Sequence, residues 1–391
     1  MTVKITRPSI DIRGTLDELN KPSGIAGNAM LAADTPQEQF NLIGAGRKNL
    51  IINGAMQVAQ RGISATAIAS NKYTTCDRFL SEFPVSAWSV NSTQETDGPS
   101  GFSYSHKMAA TSGASLGSSE YMIPFEYRVE GHDASRLGWG TLEAKDVTLS
   151  FWIKSNRTGI NTVDFTKQGG GDGVFIARQY TISSSDTWEK KTITIPANTN
   201  ATNVRIDNTN AFSIFWWALS GSDFNSGEIV EQWGTQTPVN RAPGTSSTIA
   251  SGDYWQITGV QLELGKVATP FEHRSYGEEL ALCQRYYQKS RSSNPIQNAY
   301  GGHQIAVIAG QEPQAVIRLV PEMRVAPSVV LYSAYGSGVS SQWYGAAFQQ
   351  GFSTHARAFA RDTIAFVIDN TDVVAPATGW CEIGWTAEAE L

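Results

Sequence analysis

The sequence predicts a mainly β protein built from tandem β-sandwich domains that are joined by one helix. Apolar segments of strand length recur about every ten residues between polar turns, a spacing typical of all-β sandwiches. Charged residues make up only 17% of the 391 residues, and Ser, Thr, Asn and Gly take their place, which suits sheets with polar outer faces. We therefore expect a central sandwich at 47–272, a linker helix at 273–291 and a second sandwich at 292–391.

The central strands follow from runs of apolar residues with a period of two. One face of the strand at 121–130 carries Tyr121, Ile123, Phe125, Tyr127 and Val129. The segment 212–219 is apolar on both faces, which predicts that it is covered on both sides. The predicted central strands are 49–53, 87–92, 103–109, 121–130, 147–154, 174–181, 190–196, 212–219 and 254–264.

The strand at 254–264 changes phase along its length. Trp255 and Ile257 fall on odd positions, whereas Val260 and the apolar residues after it fall on even ones. Because a strand has a period of two, this change requires a break in the pleat. We predict a β-bulge at Gly259, where glycine allows the break without a steric penalty.

A helix is predicted from Ser275 to about Lys289. Ser275 and Glu278 form a capping-box pattern, in which the two side chains satisfy the first backbone amides of a helix. Its apolar stripe includes Leu280 and Cys283. The stripe is a place where three chains would meet, although it is shorter than a coiled coil requires.

The second sandwich is small, so it needs neighbouring domains or oligomerisation for a secure core. Its predicted strands are 304–309, 315–320, 328–332, 356–361, 363–368 and 379–388. Residues 1–46 differ from the rest, because they are rich in Gly and small residues and cannot bury a core alone. This irregular segment is either a flexible tail or a docking segment that folds on a partner. The apolar anchors for docking include Ile10, Ile12, Leu16, Leu19, Phe40 and Leu42.

Composition excludes several classes of function. The net charge is −6 and no basic run occurs, so we expect no nucleic-acid binding. No apolar stretch approaches the roughly 18 residues that span a membrane, and the N-terminus lacks the apolar core of a signal peptide. We expect synthesis in a cytoplasm. Three distant cysteines, Cys76, Cys283 and Cys381, predict buried thiols and neither disulfides nor a zinc site.

No catalytic or metal-binding constellation stands out, so we expect no enzyme, no metal and no cofactor. The chain has no GxSxG, HExxH or Walker motif, and its five histidines have no ligand spacing. A glycosidase needs two carboxylates in proximity. Glu126 and Glu130 would lie about 13 Å apart along one strand, and Glu228 and Glu231 lie in a polar loop.

Binding is the better prediction, because sugar rings stack on aromatic side chains that the core does not require. Trp233 lies in a long loop, and Trp343 and Tyr344 lie in a Gly/Ser/Gln-rich loop of the second sandwich, with His355 and Arg357 nearby. Trp152 is expected on the outer face of its strand, where packing is the favoured role.

Four segments resemble bacteriophage tail fibre and minor tail proteins. They are NLIINGAMQVAQRG at 49–62, VQLELG at 260–265 followed by ATPFEHRSYGEELALCQRYYQKS at 268–290, PEMRVAPSV at 321–329, and the final AEL. In addition, TLSFWIKS at 148–155 resembles one hairpin of jelly-roll carbohydrate-binding modules.

The resemblance implies a homotrimeric virion protein of the tail fibre type. Residues 1–46 would dock on a virion tail or adaptor protein, and the second sandwich would meet a host-surface glycan or protein. Two alternatives stay open. One is a structural decoration, such as a head fibre or tail adaptor without a receptor, and the other is a surface-glycan hydrolase.

Overall fold

The computed structural model describes residues 48–83, 88–167, 173–199, 204–290, 303–307, 314–333, 355–367 and 379–391. Within these ranges the protein is mainly β, with several antiparallel sheets, which confirms the predicted fold class. The predicted docking residues between Ile10 and Leu42 lie outside the described residues. No helix in the described ranges is long and apolar enough to cross a membrane.

The strands up to residue 264 are β1 (Ser64–Ile68), β2 (Lys72–Tyr73), β3 (Phe79–Glu82), β4 (Val90–Glu95), β5 (Ser105–Ala110), β6 (Ala114–Ser115), β7 (Tyr121–Glu130), β8 (Val147–Ser155), β9 (Gly159–Lys167), β10 (Val174–Ile182), β11 (Glu189–Ile195), β12 (Asn210–Trp217), β13 (Leu219–Ser220), β14 (Gly234–Thr235), β15 (Thr248–Ile249) and β16 (Tyr254–Leu264). The later strands are β17 (Tyr287–Lys289), β18 (His303–Val307), β19 (Gln314–Arg318), β20 (Ser328–Ser333), β21 (His355–Ala360), β22 (Thr363–Val367) and β23 (Gly379–Glu388). The helices are α1 (Gly131–Ala134), α2 (Ser222–Asn225) and α3 (Tyr276–Gln284), with 3-10 turns at Ser135–Leu137 and Pro238–Asn240.

Two antiparallel sheets form the central sandwich. The smaller has the order β1-β4-β5-β16-β8-β11, and the larger has the order β14-β10-β9-β12-β7-β3-β2, with β13 paired to β7. Their inner faces meet in one apolar core. Phe151 of β8, for example, meets Trp216 of β12 with ring centroids 5.8 Å apart. The core therefore lies between the sheets, and each sheet presents its other face outward.

The bulge predicted at Gly259 is confirmed. Gly259 has φ +62, and the register between β16 and β8 shifts between Thr258 and Gln261. An ideal Cβ at Gly259 would lie 2.7 Å from Cζ of Phe102 and 2.9 Å from Cδ1 of Trp152. Trp152 thus lies on the outer face of the smaller sheet, as predicted, and packs beside this bulge.

We predict that Gly259→Ala lowers the free energy of unfolding by about 2–4 kcal/mol, because left-handed backbone and overlap with two rings both oppose a side chain. Gly252→Ala is the matched control, since Gly252 has φ +86 and no neighbouring atom within 4 Å of an ideal Cβ. Gly252→Ala should lower the free energy of unfolding by only about 1–2 kcal/mol, which is the cost of left-handed backbone for a residue with a Cβ. Denaturant unfolding measures both, and equal losses would contradict the role of the rings.

Three predictions of local structure are wrong. Residues 49–53 form no strand, because Asn49 and Asn53 use their side chains to hydrogen-bond nearby backbone groups. Ile123 does not share a face with Phe125, because the register between β3 and β7 shifts near Ile123. Met122, rather than Ile123, therefore packs in the main core with Phe125. The helix that begins after Ser275 ends at Gln284 rather than near Lys289, because the next residues form β17 and pair with β23.

One side of helix α3 packs against the rest of the chain. The Ser275 hydroxyl accepts a hydrogen bond from the Glu278 amide at 3.3 Å, as the capping-box pattern predicts. Cys283 is buried in a small apolar cluster with Ile52 and Val58. Cys283 and, in part, Leu280 of the predicted stripe therefore pack against residues of the same chain.

The strands after α3 form two further sheets, with the four strands β17, β18, β20 and β23 in one and β19-β22-β21 in the other. The predicted strands of this region are confirmed within one or two residues of their ends.

After β23, the last residues of the chain contact the central sandwich. Arg61 and Arg78 of the central sandwich form ion pairs with the Glu390 carboxylate. Arg324 donates hydrogen bonds to the backbone carbonyls of Ala389 and Glu390, each at 2.8 Å. We call Arg61, Arg78, Arg324 and Glu390 the C-terminal clamp.

Candidate functional site

A cleft of about 780 Å³ crosses the outer face of the larger sheet. Its floor is formed by β7, β12 and β9, and loops around residues 205–210 and 236–241 form part of its wall. Its lining is mostly polar or charged and consists of Glu82, Glu126, Arg128, Thr166, Lys167, Gly173, Arg205, Thr209, Asn210, Ser213, Phe215, Gln236, Arg241 and Leu391.

Strand alternation places polar side chains in this cleft. On β12, Ile214 and Trp216 enter the core, so Ser213 and Phe215 face the opposite way. Phe215 lies opposite Glu126 on β7 and opposite Asp164 on β9. The register thus brings one acidic residue from each neighbouring strand to either side of the same aromatic ring.

Arg241 is fixed at the floor of the cleft. Its Nε lies 3.0 Å from Oδ2 of Asp164, and its Nη2 lies 3.3 Å from Oδ1. Asp164 is fully buried and also accepts a hydrogen bond from the Trp217 indole N–H at 2.7 Å. The guanidinium lies 4.7 Å from the ring centroids of both Phe215 and Trp217. Because its Nε and Nη2 are used by Asp164, the Nη1 group is directed away from that carboxylate.

A second ion pair lies beside it on β7. Arg128 donates to Glu126 from Nε at 2.6 Å and from Nη2 at 3.3 Å, while its Nη1 donates to the Leu391 carbonyl oxygen. These bonds fix both side chains. Glu126 is almost completely buried, and Arg128 is its ion-pair partner.

Glu82 is the titratable group of the cleft. Burial and, next to it, the negative charge of Glu126 together raise the pKa of its carboxyl to about 7, against the lowering effect of Arg241 and Arg128. The Tyr121 hydroxyl donates to Glu82 Oε1 at 3.2 Å. Below about pH 7 the neutral carboxyl of Glu82 therefore offers a hydrogen-bond donor.

Of the residues predicted for binding, Trp233 is described with its side chain, and it is not part of the lining of this cleft. Trp233 packs against the main core, where its ring centroid lies 5.0 Å from that of Trp139 and its indole N–H donates to the Pro196 carbonyl at 2.7 Å. Its observed contacts are those of packing. Trp343 and Tyr344 lie outside the described residues. His355 and Arg357 lie on β21, two residues apart on an antiparallel pair with β22.

Sequence reasoning missed the cleft because it considered Glu126 only together with Glu130, and it rejected that pair as too far apart. Glu130 lies near α3, where its Oε2 accepts from the Tyr286 hydroxyl at 2.5 Å and its Oε1 pairs with Arg285. The usable signal was the alternation of charged with apolar residues inside strands, as in Glu126 and Arg128 on β7 and Asp164 on β9. Charges at such positions are costly unless they are paired.

The described residues contain no group of three His, Cys, Asp or Glu side chains able to hold a metal ion. Cys76 and Cys283 are buried free thiols, as predicted. Burial raises the pKa of both thiols above the ordinary range, which keeps them protonated.

No protein-family profile and no curated protein matches this chain. Among solved structures, it is similar to the enzymatically active domain of tailspike protein 4 from bacteriophage CBA120, with 14% identity and a TM-score of 0.30, over 56% of this chain and 21% of that one. A carbohydrate-binding module solved with β-1,4-galactotriose matches with 10% identity and a TM-score of 0.29, over 56% of this chain and all of the module. The xylan-binding CBM22-1 domain of Paenibacillus barcinonensis Xyn10C matches with 9% identity and a TM-score of 0.28, over 57% of this chain. What these proteins bind or cleave is a property of those proteins.

Proposed function

We propose that this protein is a non-enzymatic glycan-binding protein and that the cleft on the larger sheet is its binding site. The observation that carries the proposal is an open cleft of about 780 Å³ with fixed polar groups on a rigid sheet. Clefts of this size with a few oriented polar groups are the usual form of a small-ligand site. Because Arg128 and Arg241 are already held by carboxylates, little side-chain ordering is required when a ligand binds.

Hydroxyl groups of a saccharide have suitable partners along the wall. Thr209, Asn210 and Gln236 line the cleft, and each offers both a donor and an acceptor. The Asn210 amide donates to the Ser213 hydroxyl at 3.0 Å, so this part of the wall is ordered as well. A ligand with many hydroxyl groups therefore suits this polar wall better than an apolar ligand does.

We predict that Thr209→Trp lowers glycan affinity at least about tenfold, because an indole would fill the cleft without removing a buried charge. Thr209 is half-buried at the wall, so the variant should fold. The control is Thr192→Trp, which adds an indole at an exposed position on β11. Glycan-array binding followed by calorimetry measures the effect. Equal affinity of the two variants would contradict the cleft as the site.

The biological setting is part of the proposal and rests on the four segments that resemble tail fibre and minor tail proteins. We expect a homotrimer in the virion, docked through residues 1–46 to a tail or adaptor protein. Light scattering of the purified protein tests the trimer. Electron microscopy of virions labelled with an antibody to residues 292–391 tests the placement. Label at the distal ends of tail appendages supports host attachment, whereas label on the capsid favours a structural decoration without a receptor.

One observation favours glycan hydrolysis as a second candidate. Glu82 and Glu126 line the same cleft, and the pKa of Glu82, near 7, suits a general acid. Glu126, however, is engaged by Arg128 in two hydrogen bonds, which weakens it as a nucleophile or base. Release of reducing ends from a bound polysaccharide, lost in Glu82→Gln, would support hydrolysis. Binding without release would support the proposal above.

A further inference from the structure

A buried histidine lies between the two sheets of the central sandwich. His106 on β5 is fully buried, and its ring centroid lies 5.2 Å from that of Phe125 on β7, in the opposite sheet. Within its own sheet, the residues opposite it in register are Gln94 on β4 and Ile257 on β16. An imidazole in this position matters because it can gain a charge near neutral pH.

A ladder of hydroxyl groups holds one side of the ring. The Ser92 hydroxyl of β4 lies 2.8 Å from Nε2 of His106. Thr74 donates to the Ser92 hydroxyl at 2.7 Å, and the Thr75 hydroxyl lies 2.9 Å from it. All three of these hydroxyl-bearing residues are buried. Through the imidazole, the ladder therefore ties the segment after β2 to β4 and β5.

The other ring nitrogen is unsatisfied. Nδ1 of His106 is buried and has no hydrogen-bond partner within the residues that the structure describes. In the charged imidazolium both nitrogens are donors, so the charged ring would bury its Nδ1–H without an acceptor. A buried charge that lacks a partner is far more costly than a buried neutral group.

The elements that pack against His106 bring no counter-charge to it within the described ranges. β4, β16 and β7 place Gln94, Ile257 and Phe125 beside the ring, and none of these side chains titrates. The segment after β2 adds the Cys76 thiol, which burial keeps protonated. Burial is accordingly the cause that lowers the pKa of the His106 imidazole, to about 3.

The charged side chains of the neighbouring segments are engaged elsewhere. Asp77 and Arg78, which follow the ladder, form ion pairs with Arg61 and Glu390. Glu126, next to the phenylalanine of β7, lines the cleft on the outer face of the larger sheet. None of them is therefore placed to balance a charge on the imidazole.

From these contacts we propose that His106 is an acid-sensitive latch, whose neutral ring joins the two sheets and whose protonation parts them where β5 faces β7. A charged ring forms there only as the sheets separate and water reaches it. The same opening would release the ladder at Thr75. Because Thr75 lies three residues before Arg78, the C-terminal clamp would loosen as well.

The direction of the pH effect follows from proton binding in the folded and unfolded states. The unfolded chain protonates its histidines at an ordinary pKa of about 6.5, whereas burial lowers the pKa of His106 in the folded chain to about 3. The unfolded state therefore binds more protons between these values. The stability that His106 contributes is fully present above about pH 6.5 and is lost as the pH falls toward about 3.

Two buried carboxyls act in the opposite direction. Burial raises the pKa of Asp77 to about 6 and that of Glu82 to about 7, so both groups favour the folded state at low pH. The pH profile of the wild type alone is thus a sum of opposing contributions. A variant that changes only His106 isolates the latch, because the two carboxyls are present in both proteins.

The test compares the full chain with its His106→Gln variant. Glutamine keeps an acceptor for the Ser92 hydroxyl and cannot gain a proton. Urea unfolding followed by tryptophan fluorescence gives the unfolding equilibrium constant at about pH 7 and at about pH 4.5. Between these values the constant should rise roughly 50- to 100-fold more in the wild type than in His106→Gln. An equal rise in the two proteins would overturn the latch.

A control and a second measurement complete the test. His132→Gln removes an exposed histidine, so its pH dependence should equal that of the wild type. If His106→Gln does not fold, nuclear magnetic resonance of the wild type with isotope-labelled histidine decides. The His106 ring, identified by its contact with Phe125, should stay neutral until the folded signals are lost. A ring that becomes charged at about pH 5 in a protein that stays folded would contradict the proposal.

Discussion

Glu390→Ala is expected to lower the free energy of unfolding by about 3–5 kcal/mol, among the largest effects of any single substitution in the clamp. Only 5% of the Glu390 side chain is exposed, and it pairs with Arg78, of which 1% is exposed. The Arg78 guanidinium also lies 3.5 Å from the Tyr286 ring centroid and donates to the Arg128 carbonyl at 2.8 Å. Without Glu390, a buried guanidinium loses its carboxylate, and water cannot replace it.

Glu388→Ala is the matched control, because Glu388 is two residues away on the same tail and bonds Arg61 at 3.3 Å, yet 48% of its side chain is exposed. It should change stability by less than about 1 kcal/mol. Thermal and urea unfolding, followed by tryptophan fluorescence, measure both variants. Similar losses for the two would refute the clamp as a stabilising element.

Arg241→Met is expected to destabilise the protein by about 3–5 kcal/mol and to abolish the proposed glycan binding in the cleft. The substitution leaves the carboxylate of Asp164, which is fully buried, with only the hydrogen bonds from Trp217 and Thr166. Breaking one side of a buried ion pair costs far more than the pair itself contributes. The cleft also loses the cation that covers Phe215.

The double variant Asp164→Asn/Arg241→Met separates stability from binding. Asparagine keeps an acceptor for the Trp217 indole N–H and removes the buried charge, so more than half of the lost stability should return. Binding should not return, because the cation is still absent. If the double variant binds as well as the wild type, Arg241 has no part in recognition.

The four segments that carry the resemblance to tail fibre proteins meet around the C-terminal clamp. Arg61 comes from the first segment, Tyr286 from the second, Arg324 from the third and Glu390 from the last. The Arg324 amide also donates to the Arg285 carbonyl at 2.8 Å. Their shared role in this structure is to hold the terminal sheets and α3 against the central sandwich, and the last of them also contributes Leu391 to the lining of the cleft.

Several elements were predictable from the sequence because their causes are local. The strand at Tyr254–Leu264 and its bulge follow from apolar alternation and a single glycine, and both are confirmed. The helix start at Ser275 follows from one cap side chain. By contrast, the end of α3 depends on β17 pairing with β23, a strand about one hundred residues later, and no local pattern reveals such a partner.

The sequence by itself determined the mainly β class, most strand positions, the bulge, the burial of Cys76 and Cys283, and the two-sided cover of β12. These depend on periodicity and on residue chemistry. Only the tertiary structure decided the site, because Glu82, Glu126, Arg128, Asp164 and Arg241 become neighbours through strand order and register, over up to 159 positions of chain. Only the tertiary structure shows that Trp233, which lies in a loop, packs against Trp139 and donates a hydrogen bond to the Pro196 carbonyl. An exposed loop and a packed loop have the same composition, and long-range contacts alone distinguish them.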